Sequence, residues 1–343
     1  MSEQFDISVI ISTYNRCDML PAALESVLAQ AANGVRYEVI IVDNNSTDQT
    51  RDVVESFIAR GCGNVRYVFE GKQGLSHARN AGIATALAPL VAFTDDDVRA
   101  ATDWIASIKR AFDDHPEVAF VGGKVLPQWL GEPPAWLTNK HWAPLAIVDY
   151  GDEPFYVDTQ KPLCLVGANL IFRREVFEQV GLFKPDLQRV KDGVGSMEDH
   201  EFLLRVWATG GRGLYDPRIV MTAEVQTERM TKEYHRRWHT GHGHFYAIMR
   251  SEEIERGDAR LFDVPAHLYK NLLKSVFGWL AQSLRAREEL AFEHETELRF
   301  FRGFFRQRRK EFKAAKPRST PREVVLFLQS LIASKLHRKR NAG

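Results

Sequence analysis

The stretch Val91-Ala92-Phe93-Thr94-Asp95-Asp96-Asp97-Val98 decides how the rest of the chain reads. An apolar, strand-forming run stops abruptly at three consecutive carboxylates. Period-two alternation carried through the run would set Asp95 and Asp97 on one side and Asp96 on the other. Three like charges at a strand end repel one another, and a cation among them relieves the repulsion. Oxygen ligands with no Cys or His beside them suit Mg2+ or Mn2+, ions that keep room for substrate phosphates. The plainer alternative is a solvated acidic strand end that caps the next helix. The triplet alone does not separate the two.

Upstream, Ile7 to Ser12 is a β-rich apolar run followed by Thr13-Tyr14-Asn15-Arg16. Asp18 is placed to cap a helix whose inner face is Leu20, Leu24, Val27 and Leu28. A strand from Tyr37 to Val42 stops at Asp43-Asn44-Asn45-Ser46-Thr47-Asp48, and a helix with Val53, Val54, Phe57 and Ile58 inside follows. A third strand, Val65 to Phe69, and a helix of small residues from about Ser76 to Leu87 lead into the acidic strand. Alternating strands and amphipathic crossovers with short connections specify a mostly parallel sheet covered on both faces. Ligands in such sheets gather beyond the carboxyl ends of the strands. The polar clusters that end strands one, two and four therefore predict a single shared site.

Downstream, strands are expected at Val118 to Val125, Leu165 to Arg173 and Ile219 to Val225, and helices at Glu175 to Val180 and Met197 to Thr209. Between the first two strands lies an irregular segment with Pro127, Trp129, Pro133, Pro134, Trp136 and Trp142; Lys184 to Gly195 is polar and reads as a loop. After residue 225 the pattern is helical. This divides the chain into an α/β region, 1–225, and a mainly helical region, 226–343, with a basic tail from residue 299.

The 343 residues are 44% hydrophobic and 27% charged, ordinary values for a globular chain of one large domain plus an appendage. Three scattered cysteines, Cys17, Cys62 and Cys164, argue against a disulfide framework or structural zinc and for a reducing compartment. The first residues do not pattern as a secretory leader, and no apolar run approaches the roughly 18 residues of a membrane span. The expected location is cytoplasmic. Residues 299–343 hold fourteen Lys and Arg against two acids, a local charge of +12, which leaves −11 for the rest of a chain whose net is +1. Such asymmetry suits a tail attracted to an anionic membrane surface, which would make the protein peripheral on its inner face. Nucleic acid is not expected.

Six segments in order, ISVIISTYNR, VDNNSTD, GLSHARNAGI, FTDDDV, GANLIFRREVF and SMEDHEFLLRVW, resemble the family 2 glycosyltransferases over residues 5 to 225. The resemblance implies the GT-A fold, an α/β architecture with a central sheet flanked by helices. It also implies a nucleoside-diphosphate sugar donor, a divalent metal (Mn2+ or Mg2+) and inversion at the anomeric carbon. UDP is the expected nucleotide, with GDP and dTDP as alternatives. The acceptor would be a saccharide, lipid-linked in some members, in surface or exopolysaccharide synthesis.

Carried over by position, Thr13, Tyr14, Asn15 and Arg16 line the nucleotide pocket, Asp43 accepts from the base, and Asn45, Arg79, Asn80, Asp95 and Asp96 complete the donor site. Asp95 and Asp97 match the DxD metal pair. Glu198 and Asp199 match the acidic pair that supplies the general base, with Asp199 the acting group. Ser196-x-x-Asp199 equally fits a helix cap. Gly167, Ala168 and Asn169 match the small residues beneath sugar and acceptor. His235, Arg237 and Trp238, with Arg236, are candidates for a segment closing on the diphosphate. The departure from the family pattern is Asn44, where a second acid is common.

Trp129, Trp136 and Trp142 would stack on sugars or simply pack. His235 and His239, four apart, would share a helix face able to hold zinc, but no further ligand completes the set and Gly241 and Gly243 should break the helix. Leu268, Leu272, Val276, Leu280 and Leu284 form a stripe suited to a core seam or homodimer contact, and Val324, Val325, Leu328, Leu331 and Ile332 form another. A sugar nucleotidyltransferase would want a glycine-rich triphosphate loop that Ser12 to Arg16 lacks. A non-catalytic nucleotide-sugar-binding protein would not need the acidic pairs.

Overall fold

The computed structural model describes residues 5–188 and 197–315. They form two compact units: residues 5–133, 145–188 and 198–229 in the first, and 134–144, Met197 and 230–315 in the second.

The first unit opens with β1 (Ile7–Thr13), α1 (Leu20–Leu28), β2 (Tyr37–Asp43), α2 (Thr50–Ala59), β3 (Val65–Phe69), α3 (Leu75–Thr85) and β4 (Leu90–Asp95). There follow β5 (Val98–Ala100), α4 (Trp104–Asp114), β6 (Phe120–Trp129), β7 (Phe155–Val157), β8 (Leu170–Arg173), α5 (Glu175–Val180), α6 (Glu198–Ala208) and β9 (Gly213–Val225). They build a nine-stranded sheet in the order β3-β2-β1-β4-β8-β6-β9-β5, with β7 also on β9. Strands β3, β2, β1 and β4 are mutually parallel, and β8 enters antiparallel beside β4. Alternation along each strand splits its apolar residues between two cores. Ile7, Val9 and Ile11 of β1 pack with Leu24, Phe57 and Ile105 of α1, α2 and α4; Ile10 packs with Ile83, Phe177 and Phe202 of α3, α5 and α6. Both faces of the sheet are therefore covered, and the exposed chemistry is pushed to the strand ends.

Some local expectations do not hold. Met19, not Asp18, stands at the α1 N-cap, and no side chain caps that end. Ile58 lies on the outer face of α2 and is exposed. The expected strand from Leu165 begins only at Leu170, because Gly167–Asn169 make a tight helical turn. β6 runs on to Trp129, paired in parallel with β9.

The second unit contains α7 (Lys232–Met249), a two-stranded ribbon of β10 (Arg260–Leu261) and β11 (Val264–Pro265), α8 (Ala266–Leu284) and α9 (Glu288–Ala315). Helix α7 does not break at Gly241 or Gly243. One glycine from each helix lets α7 and α9 approach: a Cβ on Gly243 would stand 2.0 Å from the Phe300 carbonyl oxygen, and one on Gly303 of α9 would stand 1.9 Å from that of Thr240. His235 is buried edge-on to Trp136, at 5.1 Å between ring centroids. Arg308, fully buried, pairs with Asp263 at 3.1 Å and with Glu255. The expected stripe on α8 starts in the core at Leu268 but leaves it by Leu280 and Leu284, which are exposed. A ladder of four-residue steps on a helix of 3.6 residues per turn drifts about 40° at each step, so its ends cannot share a face. The second expected stripe, Val324 to Ile332, and Ser196 lie outside the described residues.

Candidate active site

The carboxyl ends of β1, β2 and β4 stand side by side, and the loops that leave them are laced together. The Asn44 amide N–H donates to the Thr13 carbonyl at 2.9 Å. Asn15 takes a left-handed backbone conformation (φ 50°), and its Oδ1 accepts from the Thr47 amide at 2.7 Å while its own amide donates to Ser46 Oγ at 2.9 Å. Asn45 is also left-handed (φ 65°). At the end of β2, Asp43 is buried; Oδ1 accepts from the Ser46 amide (2.9 Å) and Oδ2 from the Tyr67 hydroxyl (2.7 Å). Burial and the Asp43 carboxylate push the Tyr67 phenol well above its ordinary value, so it stays a donor. Beside them a hollow of about 420 Å³ is lined by Asp43, Ser46, Thr47, Asp48, Arg51, Asp52, Tyr67 and Phe69.

Asn44 is a bracket, not a ligand-facing group. Its Nδ2 donates to the carbonyls of Glu70 (3.2 Å) and Lys72 (2.7 Å), and its Oδ1 accepts from the Gly74 amide at 2.7 Å. A carboxylate could not make the two donations. That is the local reason for Asn at this position.

At the end of β4 the alternation expected of the triplet fails. The strand stops at Asp95 and Asp96-Asp97 turn, so Asp96 and Asp97 converge instead of facing opposite ways. Arg16 Nη1 donates to Asp96 Oδ1 at 3.0 Å and to Asp97 Oδ2 at 2.9 Å, and Arg229 Nη1 lies 3.5 Å from the same Asp97 oxygen. Burial pushes the Asp96 carboxyl up to about 7, against the pull of Arg16. The acids in turn hold the Arg16 guanidinium above its ordinary value.

A second node lies on α3 and α6. Arg79 is buried, and its Nη1 donates to Asp199 Oδ1 at 2.5 Å and to Glu198 Oε1 at 3.1 Å. The Gly167 amide donates to Asp199 Oδ2 at 3.0 Å. Burial alone would lower the Arg79 pKa; Asp199, Glu198 and also Asp95 outweigh it and leave it raised. Asp95 acts on Arg16 as well. The acidic strand end and the α6 pair therefore share one electrostatic network. Glu198 does not face solvent: its side chain is 2% exposed, against 21% for Asp199. Of the pair, only Asp199 can meet a ligand. A Cβ on Gly167 would stand 2.1 Å from Arg79 Nη2 and 2.7 Å from Asp199 Oδ2, so any larger residue would displace that pair.

Other expected site residues serve the frame. Asn80 exchanges hydrogen bonds with the Phe183 backbone, Nδ2 donating at 2.9 Å and Oδ1 accepting at 3.1 Å. Asn169 is saturated by the Trp104 indole N–H (2.9 Å) and the Lys124 and Ile219 carbonyls (2.9 and 3.0 Å), and Ala168 is core. In the second unit, His235 is enclosed by rings, Trp238 stacks on His242 at 4.4 Å, and Arg237 is exposed. Tyr14 stands partly exposed at the end of β1. Two groups escaped sequence reading, Tyr67 on Asp43 and Arg229 on Asp97. Arg229 had a signal, as a basic residue four positions past the last core strand.

The glycosyl transferase family 2 model matches residues 8–181, half of the chain. The chain belongs to glycosyl transferase family 2. It is 27% identical over 214 residues to the glucosyl-dolichyl phosphate glucuronosyltransferase of Haloferax volcanii, 61% of this chain and 66% of that one. It is 39% identical over 107 residues to a validoxylamine A glucosyltransferase of Streptomyces hygroscopicus, 31% of this chain and 25% of that one. The chain thus spans less than two thirds of these curated relatives. Among solved structures, the mannosyltransferase PcManGT of Pyrobaculum calidifontis, in complex with GDP-Man and Mn2+, superposes with a TM-score of 0.59 at 18% identity over 89% of each chain. TarS of S. aureus in complex with UDP does so at 0.50 and 18% over 88% of this chain and 92% of that one. These likenesses establish the family and the GT-A fold, with its helical C-terminal region.

Proposed function

We propose that the chain is an inverting glycosyltransferase that moves one sugar from a nucleoside-diphosphate donor to a hydroxyl of a saccharide acceptor. The observation that carries this reading is the Arg79 node. One guanidinium holds Asp199 and Glu198 and feels Asp95, which supports grouping the strand-end acid Asp95 with the α6 acid in one site. A single displacement needs that arrangement, with the leaving group on one side and a proton acceptor for the attacking hydroxyl on the other.

The base of the donor would meet Asp43, whose carboxylate accepts from a uracil or guanine N–H. A UDP-linked donor is the first choice, with GDP and dTDP as alternatives. Among the described residues no three His, Cys, Asp or Glu side chains can hold an ion by themselves. Mg2+ and Mn2+ are commonly held by one or two carboxylates plus substrate phosphates, and Asp95 and Asp97 are the carboxylates that would hold such an ion. A divalent cation there would neutralise charge on the departing diphosphate. Arg16 and Arg229, already on Asp97, would share that duty.

Asp199 receives the acceptor proton as the new C1–O bond forms. The bond from C1 to the diphosphate oxygen breaks, and the configuration inverts. Glu198 keeps Arg79 charged and placed while Asp199 changes protonation. The relatives named above support a saccharide or lipid-linked acceptor, and surface-polysaccharide assembly is the setting we favour.

The test is a thermal-shift panel of UDP-, GDP- and dTDP-sugars with and without Mn2+, followed by nucleoside-diphosphate release and NMR of the product anomer. One donor should raise the melting temperature in a Mn2+-dependent way and give an inverted product. No shift and no release with any donor would refute the proposal.

A further inference from the structure

Helix α8 carries five of the eleven exposed large apolar side chains among the described residues: Leu273, Phe277, Trp279, Leu280 and Leu284. Four of them, Leu273 (56% exposed), Phe277 (67%), Leu280 (44%) and Leu284 (88%), are spaced by four, three and four residues. That spacing keeps them within a single outward stripe, in contrast to the drifting ladder from Leu268. The opposite face is committed to α9: Ser275 Oγ donates to Glu297 Oε2 at 2.6 Å, and Gly278 lies against His294. Nothing among the described residues covers the ridge.

The charges on its own helix have one sign. From Val264 to Arg287 there is no Asp or Glu, while Lys270, Lys274, Arg285 and Arg287 are all present and all exposed. An apolar ridge on a helix that carries cations and no acids of its own matches an anionic bilayer, where the ridge enters the acyl boundary and the cations meet the headgroups.

A second copy fits less well. Two such helices would bring like charges together, and the ridge offers on the order of 500 Å², short of the roughly 800 Å² per partner of a stable interface. Among the described residues no helix is long and apolar enough to cross a membrane. The contact would therefore lie in the surface plane.

We propose that the α8 ridge, with the cations of α8 itself, docks the enzyme onto an anionic phospholipid surface. The proposal assigns attachment to a folded helix of the second unit. It does not depend on which sugar is transferred, or on whether any is.

The test is flotation of the full chain with vesicles of phosphatidylcholine containing 30% phosphatidylglycerol, against phosphatidylcholine alone. The expected result is recovery in the floating fraction with anionic vesicles only, lost in 0.5 M NaCl. The triple variant Leu273→Ser, Phe277→Ser and Leu284→Ser should lower bound protein by about tenfold or more, since each exposed side chain loses its share of burial. These residues lie outside the core, so the variant should keep the wild-type melting temperature and the same donor-induced shift. Lys270→Glu with Lys274→Glu should weaken binding to anionic vesicles by a similar factor. Undiminished flotation of the triple variant would assign binding to residues beyond 315 and overturn the proposal. So would a wild-type dimer that the triple variant splits and that does not float.

Discussion

Replacing Asp199 with Asn isolates the proposed proton transfer. The amide keeps the shape of the side chain, and its oxygen can still accept from the Gly167 amide, now 3.0 Å from Oδ2. Arg79 keeps Glu198 at 3.1 Å, so no buried cation is orphaned. The new NH2 faces the Arg79 donor in place of Oδ1, so the stability cost should be about 1.5–3 kcal/mol, the value of one hydrogen bond to a charged group. The amide cannot take a proton, and loss of a general base costs about 100- to 10,000-fold, equivalent to about 3–5 kcal/mol of barrier. The assay is nucleoside-diphosphate release at saturating donor and acceptor, with donor Kd from calorimetry. We expect kcat to fall by at least a hundredfold while donor Kd moves by less than about threefold, because Asp43, Asp95 and Asp97 are untouched. Turnover within threefold of wild type would refute the assignment. A parallel loss of donor affinity would move Asp199 from base to ligand.

Gly167→Ala should cost about 1–3 kcal/mol and at least tenfold in kcat, because its Cβ would enter the contact between Arg79 and Asp199; denaturant titration and the release assay read the two effects. Asn44→Asp should destabilise by about 1–3 kcal/mol, since two carbonyls would lose their donor and face a carboxylate, and an unchanged denaturation midpoint would contradict the bracket. Burial, with His141 nearby, lowers the His239 pKa to about 4 from an ordinary 6.5. The unfolded chain therefore binds that proton first. Stability from this group is full above about pH 6.5 and is lost progressively down to about pH 4, by up to about 3 kcal/mol. His239→Gln should flatten that part of the pH profile in urea melts at pH 7.0 and 4.5.

The sheet was legible because Ile7 to Phe93 alternates apolar strands with helices at short spacing, and each run can be satisfied in only one way. The clustering of strand ends followed from that. Direction within the cluster did not follow. Asp96 was expected opposite Asp97 because alternation was carried past the last strand residue, yet a turn obeys no period of two. Burial of Glu198 and the partners of Asn44, Asn80 and Asn169 were equally out of reach, since each depends on backbone carbonyls far away in sequence. The α7 glycines misled for another reason. Helix propensity penalises Gly, but close helix approach rewards it, and the second term wins where α9 presses in.

That Gly243–Gly303 crossing also works as a ratchet tooth. Each peptide step along a helix turns the surface by about 100°, so one inserted or deleted residue in α9 would swing Phe304 or Arg302 against the Thr240 carbonyl in place of a bare Cα. Length changes in this half of the molecule should therefore be confined to its connections. The phase of every later α9 side chain, Arg306 and Arg309 included, is set by two hydrogens where side chains would otherwise be.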